Sequence, residues 1–207
     1  MSETNENKDK KFELAISLII VLFAAILAIV DLFGGKYGDD EIIAQNEKSS
    51  AYSWYQSKSV KQSLLEGEMQ MLTTLIKAGV VNAVDTAGAM IAANEFKEEI
   101  NKYKKEKKEI LLGSAAVGQE NWIQEKDGEL GKIKGAKEWE AEAELLGKAG
   151  DQFDFSVLFL QLCLVFGAIA LVVQSQKIKL GFLLLTVAFG IIGIFYAWKA
   201  YQIIVLV

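Results

Sequence analysis

The sequence predicts an all-α membrane protein with three transmembrane helices and, between the first and second, an extramembrane antiparallel helical hairpin or stalk domain. Three apolar stretches have the length of a membrane span, and none carries a charged residue in its interior. The long segment between the first two is rich in lysine and glutamate and has no proline. About 20 residues of helix cover roughly 30 Å, the thickness of the hydrocarbon core. The predicted parts are a cytoplasmic tail (1–13), transmembrane helix 1 (14–33), a helical extramembrane domain (34–154), transmembrane helix 2 (155–173), a short cytoplasmic loop (174–179), transmembrane helix 3 (180–198) and a C-terminal tail (199–207).

The first apolar stretch is expected to be a membrane anchor that stays on the chain. Between Leu14 and Val30 its only polar residue is Ser17, whereas a helix on the surface of a soluble protein shows a polar face. The apolar run is longer than the core of a usual signal peptide, and residues 31–35 make a poor cleavage site. An uncleaved anchor therefore fits better than a signal peptide.

The extramembrane domain is expected to begin with a break in the helix. Glycines at 34, 35 and 38 follow the first span, and Asp39 or Asp40 could then cap a new helix. That helix continues to Lys77, and Gly79 predicts a turn after it. Its packing face is indicated by apolar and aromatic residues at three- and four-residue spacings. These residues are Ala51, Trp54, Tyr55, Lys58 through its aliphatic stem, Leu65, Met69, Leu72 and Ile76.

A second helix is predicted over residues 81–112. Its first half is rich in small residues, including Ala83 and Ala87, which would let another helix approach closely. Its second half alternates lysine and glutamate and is interpreted as a solvated face. Short helical pieces and turns are expected over 113–135. From Ala136 the helix resumes and is expected to run into the second span.

The second and third spans offer one polar candidate and several glycines. Gln161 is predicted to make an intramembrane polar contact, either a hydrogen bond across a helix interface or a place in the lining of a pathway. Glycines in these spans indicate close helix packing. They are Gly167, Gly181, Gly190 and Gly193.

The composition argues against several functions. The chain has no histidine, no arginine and one cysteine, Cys163, inside the second span. Missing histidine removes the commonest general base and metal ligand, and missing arginine with a net charge of -5 disfavours nucleic-acid binding. No calcium-loop spacing, phosphate-binding loop or nucleophile–base pair is present. We therefore expect no enzymatic activity, no cofactor, no metal and no nucleic-acid partner.

The lysines predict the orientation in the membrane. With three spans, the N-terminal tail and the loop 174–179 lie on one side, and they hold five lysines against one in the short C-terminal tail. Since positive charge in short segments favours the cytoplasm, the N-terminus is predicted in the cytoplasm. The large domain is then periplasmic or extracellular, in a multi-pass protein of the bacterial inner (plasma) membrane. The five lysines are Lys8, Lys10, Lys11, Lys177 and Lys179, and the single lysine of the C-terminal tail is Lys199.

The order of these features resembles a known family. After the first span and a glycine- and aspartate-bearing break, residues 54–58 read Trp-Tyr-Gln-Ser-Lys, similar to a Trp-x-Tyr-Gln-Ala-Lys-like stretch with serine in place of alanine. Residues 103–110 and 153–161 are similar as well. The chain thus resembles the bacterial membrane family called domain of unknown function 4337 over most of its length, excluding about 113–135. The resemblance implies the three-span layout and carries no catalytic residues.

These observations lead to one expected function and one alternative. Trp54, Tyr55, Gln56 and Lys58 could form a surface for a partner or a lipid, or the aromatic rings could pack against the second helix. With Ala83 and Ala87 they form the predicted partner or packing surface. The expected protein is a non-enzymatic scaffold in the lipid bilayer that forms homo-oligomers or contacts another membrane complex through its stalk. The alternative is a subunit of an oligomeric channel or transport component, with Gln161, Ser17 or Thr186 facing a common axis.

Overall fold

A computed structural model shows a chain that is helical over most of its length. It describes the backbone of residues 2–80 and 83–205, and the side chains of 10–80 and 87–205. The chain divides into two compact units, each described by itself: a span unit, Met1–Ile42 with Glu144–Val207, and a central unit, Ile43–Ala143. The helices are α1 (Ser2–Lys77), α2 (Ala83–Leu112), α3 (Ser114–Val117), α4 (Ala136–Val172) and α5 (Gln176–Ile204), with a 3-10 turn at Gln119–Asn121 and strands β1 (Glu125–Lys126) and β2 (Glu129–Leu130).

Three of these helices are long and apolar enough to cross a membrane. They are α1, α4 and α5. Each contains one of the apolar stretches identified in the sequence. The prediction of a mainly helical chain with three helices long and apolar enough to cross a membrane is confirmed. The span unit buries a core shared by the three helices, which includes Phe23, Val30, Phe153, Leu160, Cys163 and Ala200.

The expected break after the first span is wrong, because α1 continues as helix through Gly34, Gly35 and Gly38. A glycine costs a helix only about 1 kcal/mol relative to alanine, and here packing compensates. A Cβ added at Gly34 would lie 3.3 Å from Cβ of Phe153 in α4, so the missing side chain allows that contact. Asp39 and Asp40 accordingly lie inside α1 and cap nothing.

Glycines also bring the three helices together inside the span unit. A Cβ at Gly167 would lie 2.6 Å from Ile20, one at Gly190 would collide with the Phe23 ring, and one at Gly193 would lie 2.7 Å from Leu160. The expected close packing is therefore confirmed at these three glycines. Gly181 has no other atom within 4 Å of such a Cβ and plays no part in it.

The central unit follows the predicted elements with one addition. α1 ends at Lys77 and Gly79 adopts a φ of +70°, which glycine tolerates best. Over 113–135 the expected short helix and turns are present, together with a two-stranded hairpin that the sequence did not predict, in which Glu125 pairs with Leu130 and Lys126 with Glu129.

α4 starts where the sequence predicted and passes through Gly147 and Gly150 without a break. Its start is fixed by Glu138, whose Oε2 accepts a hydrogen bond from the Gly135 backbone N–H at 2.7 Å. A glutamate at the third helical position that caps the residue before the helix satisfies one of the unpaired N–H groups of a helix start.

Candidate functional site

The aromatic and lysine residues predicted as a surface on α1 contact α2 in the central unit. Lys107 Nζ lies 5.3 Å from the centre of the Tyr55 ring. Lys58 Nζ lies 2.6 Å from a Glu106 carboxylate oxygen and 5.4 Å from the centre of the Tyr103 ring. These contacts agree with the packing alternative for the aromatic residues. Gln56, the residue after Tyr55, is exposed, and a role in binding a partner stays a prediction.

The Lys58–Glu106 ion pair is largely withdrawn from solvent. The side chain of Glu106 is 4% exposed and that of Lys58 is 17% exposed. Such a pair gains little net stability over an apolar contact, because both charges lose their hydration, but loss of either partner leaves the other charge buried alone. The pair therefore helps to fix how α1 and α2 face each other. The sequence had suggested an aliphatic packing role or a partner surface for Lys58, but not this ion pair.

Trp54 lines a cavity of about 230 Å³ in the central unit together with Trp139. Lys134 also lines it, with Nζ 3.7 Å from the centre of the Trp139 ring and an ion pair to Glu142. Burial lowers the pKa of Lys134 below its ordinary value of 10.5. The amine is thus already held by a ring and a carboxylate. The remaining charged groups in the lining, two glutamates and one lysine, favour neither an anion nor a cation.

A second contact joins α1 to the start of α4 within the same unit. The Tyr52 hydroxyl donates to Glu140 Oε2 at 3.0 Å. This hydrogen bond to a carboxylate raises the pKa of Tyr52 above its ordinary value of 10.0. The pair therefore keeps the phenol protonated and bound at neutral pH, where it ties the two helices together.

The best-enclosed polar group of the central unit is one that the sequence did not single out. Glu109 is fully buried at the end of α2. Its Oε1 accepts from the Ser114 hydroxyl at 2.8 Å, and its Oε2 accepts from the backbone N–H groups of Ile123 and Gln124 at 2.9 and 2.8 Å. Both carboxylate oxygens accept hydrogen bonds from this chain, so Glu109 anchors the 113–135 segment.

The small-residue part of α2 is uncovered at two positions. Ala87 is exposed, and a Cβ added at Gly88 would meet no other atom within 4 Å. Ala89, Ala92 and Ala93 are half-buried. The side chain of Ala83 lies outside the described residues, and the role of Ala83 and Ala87 in packing stays a prediction.

Gln161 is exposed on α4, and its amide has no hydrogen-bond partner in the part of the chain that the structure describes. The other two residues proposed for a channel axis are satisfied within their own helices. Ser17 donates to the Glu13 carbonyl at 2.9 Å, and buried Thr186 donates to the Phe182 carbonyl at 2.9 Å. Of these three residues, Gln161 is therefore the one whose polar group has no partner among the described residues.

An open groove of about 390 Å³ lies in the span unit, with an almost wholly apolar lining. It has the chemistry to hold hydrocarbon. Aromatic side chains supply much of its wall, as is common where helices leave a bilayer. They are Phe33, Tyr37, Phe153, Trp198 and Tyr201.

A second uncovered face runs along α1 in the central unit. Its residues are spaced alternately four and three apart, and all are exposed. The largest are Val60, Leu64 and Met71, with 68%, 62% and 66% of their surface exposed. The predicted packing face, with Leu65, is buried or half-buried on the other side of the helix. We call the exposed set the α1 stripe: Val60, Leu64, Gly67, Met71, Thr74 and, directly after the end of α1, Ala78.

Among the described residues no group of three or more aspartate, glutamate, cysteine or histidine side chains is placed to hold a metal ion. The described residues leave the α1 stripe uncovered and the Gln161 amide without a partner. The stripe could have been found from its periodicity, but only the structure shows which of the two apolar faces of α1 is left uncovered.

Comparison with curated proteins and with solved structures gave no match to this chain. The sequence model of one family matches residues 12–202. That match includes all three span-forming helices and the central unit between them, and so it also includes the 113–135 segment that the resemblance had left out. The chain belongs to the family described as domain of unknown function 4337 (DUF4337).

Proposed function

We propose that this chain is a non-enzymatic bacterial inner-membrane protein whose helical stalk mediates homo-oligomerisation or association with another membrane complex. The observation that carries the proposal is the α1 stripe, an uncovered apolar seam on a long helix. Val60, Leu64 and Met71 would each gain about 1.5–3 kcal/mol on full burial. A surface helix with such a seam is stabilised when a second helix covers it.

The spacing of the stripe favours another helix as the cover. Positions four and three apart repeat every seven residues, the period at which two helices keep a continuous seam in contact. Gly67, within the stripe, leaves room for close approach. The stripe itself contains no charged residue, so a second copy of the same seam is complementary to it.

The contacts in the central unit support the antiparallel hairpin on which the stalk depends. Tyr55 contacts Lys107, whereas Lys58, further along α1, contacts Tyr103, which comes earlier in α2. Residues that advance along one helix while they retreat along the other are those of an antiparallel pair. We therefore propose that α1 and α2 form the stalk, with their turn near Gly79.

The proposed orientation places the N-terminus in the cytoplasm and the stalk on the periplasmic or extracellular side. In the span unit, Lys179 Nζ lies 2.7 Å from Glu13 Oε1, which is consistent with the N-terminal tail and the 174–179 loop on one side. A lysine that is paired with a glutamate still favours the cytoplasmic side, because acidic residues have little effect on the side that a short lysine-containing segment takes.

Native mass spectrometry of the full chain, extracted in mild detergent, tests the proposal. We expect an oligomer, or a complex with a co-purifying membrane protein, and we expect Leu64→Glu with Met71→Glu to release it. Gln70→Glu is the matched control, because it adds the same charge beside the stripe, at the rim of the contact, where a charge has little effect.

The outcomes separate clearly. Release by the two stripe substitutions but not by the control supports the proposal. A wild-type chain that is strictly monomeric, with no co-purifying protein, overturns it, and so does an assembly that both stripe substitutions leave intact. Circular dichroism of each variant shows whether the helices themselves have survived.

A further inference from the structure

The second span has two opposite faces, and only one of them is used within the chain. Leu160 and Cys163 are fully buried against the neighbouring helices of the span unit. Gln161 lies two residues from Cys163, which turns it about 200° around a helix of 3.6 residues per turn. It therefore points away from the core of the chain.

The outward face is regular. Its residues repeat at spacings of three and four, the spacing at which one helix face meets another helix. Leu158 and Val165, on either side of Gln161, are 50% and 53% exposed. The face has no charged residue. We call it the Gln161 face: Leu158, Gln161, Val165, Ala168 and Val172.

A lone amide on such a face has an unmet requirement. Gln161 lies roughly 9 Å of helix inside Phe155, where the predicted span begins. At that depth lipid offers neither donors nor acceptors, so polar side chains in membrane helices normally face protein or a water-filled path. The amide has no partner among the residues that the structure describes, so its partner has to come from outside this chain.

We propose that the Gln161 face is a contact between two copies of this chain, with the two Gln161 amides hydrogen-bonded to each other. An amide both donates and accepts, so it complements a second copy of itself. Copies inserted in the same orientation are related by an axis along the membrane normal, which places equal residues at equal depth. This inference rests on the proposed self-association and assigns it a contact within the bilayer.

Cysteine cross-linking in native membranes locates the contact. The background is Cys163→Ala, which removes the only cysteine of the chain. Single cysteines replace Leu158, Gln161 or Val165, and matched controls replace Leu22 or Ile191, which are 59% and 61% exposed on other helices. Copper-phenanthroline oxidation is expected to give disulfide-linked dimers on the Gln161 face, most at position 161, and few at the controls.

The strength of the contact is measured separately. We expect Gln161→Leu to raise the dissociation constant of the oligomer by roughly 3- to 20-fold, the range measured for hydrogen bonds between membrane helices. Gln161→Asn keeps an amide and is expected to stay closer to the wild type. If the contact were only apolar, the dissociation constant of Gln161→Asn would not be closer to the wild-type value than that of Gln161→Leu.

Different failures have different meanings. An oligomer that cross-links at Ile191 or Leu22 as readily as at position 161 overturns the Gln161 contact and leaves the proposed function standing. The same holds if Gln161→Leu leaves the dissociation constant unchanged. A wild-type chain that is monomeric in native mass spectrometry, with no cross-link at any position, overturns both.

Discussion

Glu109 shows how a single side chain organises the least regular part of the molecule. In sequence it is one glutamate of a lysine- and glutamate-rich run and looks solvated. In the structure it is fully buried and accepts three hydrogen bonds from the 113–135 segment. Glu109 is buried, whereas Glu98 and Glu99 on the same helix are exposed. The difference depends on where the chain returns after Leu112.

Glu109→Ala is expected to destabilise the central unit by about 3–5 kcal/mol, because two backbone N–H groups and the Ser114 hydroxyl lose a charged acceptor inside the protein. Hydrogen–deuterium exchange read by mass spectrometry should show faster exchange over 113–135. Glu98→Ala removes an exposed glutamate from the same helix and serves as the control. Unchanged exchange at Ile123 and Gln124 in Glu109→Ala would contradict this role.

Backbone contacts at the two ends of the 113–135 segment explain why Glu109 can accept hydrogen bonds from Ile123 and Gln124. A Cβ added at Gly135 would collide with the backbone of Leu112 and Gly113. The segment therefore leaves α2 and enters α4 at nearly the same point, which returns Ile123 and Gln124 to the last turn of α2. Glycine at these positions was visible in the sequence as a sign of turns, but the contact between distant glycines was not.

At the scale of the elements, α4 and α5 approach each other closely at small residues, where a hydrogen bond also joins them. The Ser156 hydroxyl donates to the Gly193 carbonyl at 2.7 Å, and both residues are buried. A helix carbonyl has a second lone pair, so it can accept this bond and keep its own helical one. The close approach depends on the missing side chain at Gly193.

Gly193→Ala tests this packing directly. The added Cβ would lie 2.7 Å from Leu160 and 3.2 Å from the Ser156 carbonyl oxygen, and overpacking of this kind costs about 1–3 kcal/mol. We expect a lower midpoint of thermal unfolding in detergent. Gly181→Ala, with no other atom within 4 Å, should be neutral or slightly stabilising, since alanine favours the helix. Equal midpoints for both variants would show that the α4–α5 contact tolerates the methyl group.

At the scale of the whole molecule, the orientation in the membrane can be measured with two matched positions. In the Cys163→Ala background, Lys132→Cys probes the exposed 113–135 segment and Lys177→Cys probes the loop after the second span. A membrane-impermeant maleimide on intact cells is expected to label position 132 but not 177, which should label only after permeabilisation. The reverse pattern would place the central segment in the cytoplasm and contradict the lysine-based orientation.

Local composition alone was enough to predict several features. Apolar run length predicts the three span-forming helices, and glycines locate the turn near Gly79, the end of α2 and the start of α4 at Ala136. The half-buried face of α1 followed from its spacing in the same way. These features depend on near neighbours in the chain, so one sequence is enough to read them.

Other features depend on partners that are distant in the chain, and these appear only in the fold. Packing against Phe153 keeps α1 helical at Gly34, where local propensity favoured a break. The return of the 113–135 segment buries Glu109, and the packing of α4 in the span unit turns Gln161 outward. Periodicity shows that a helix has an apolar face, but a face is covered or left free according to which other elements reach it. That depends on contacts between residues far apart in the chain.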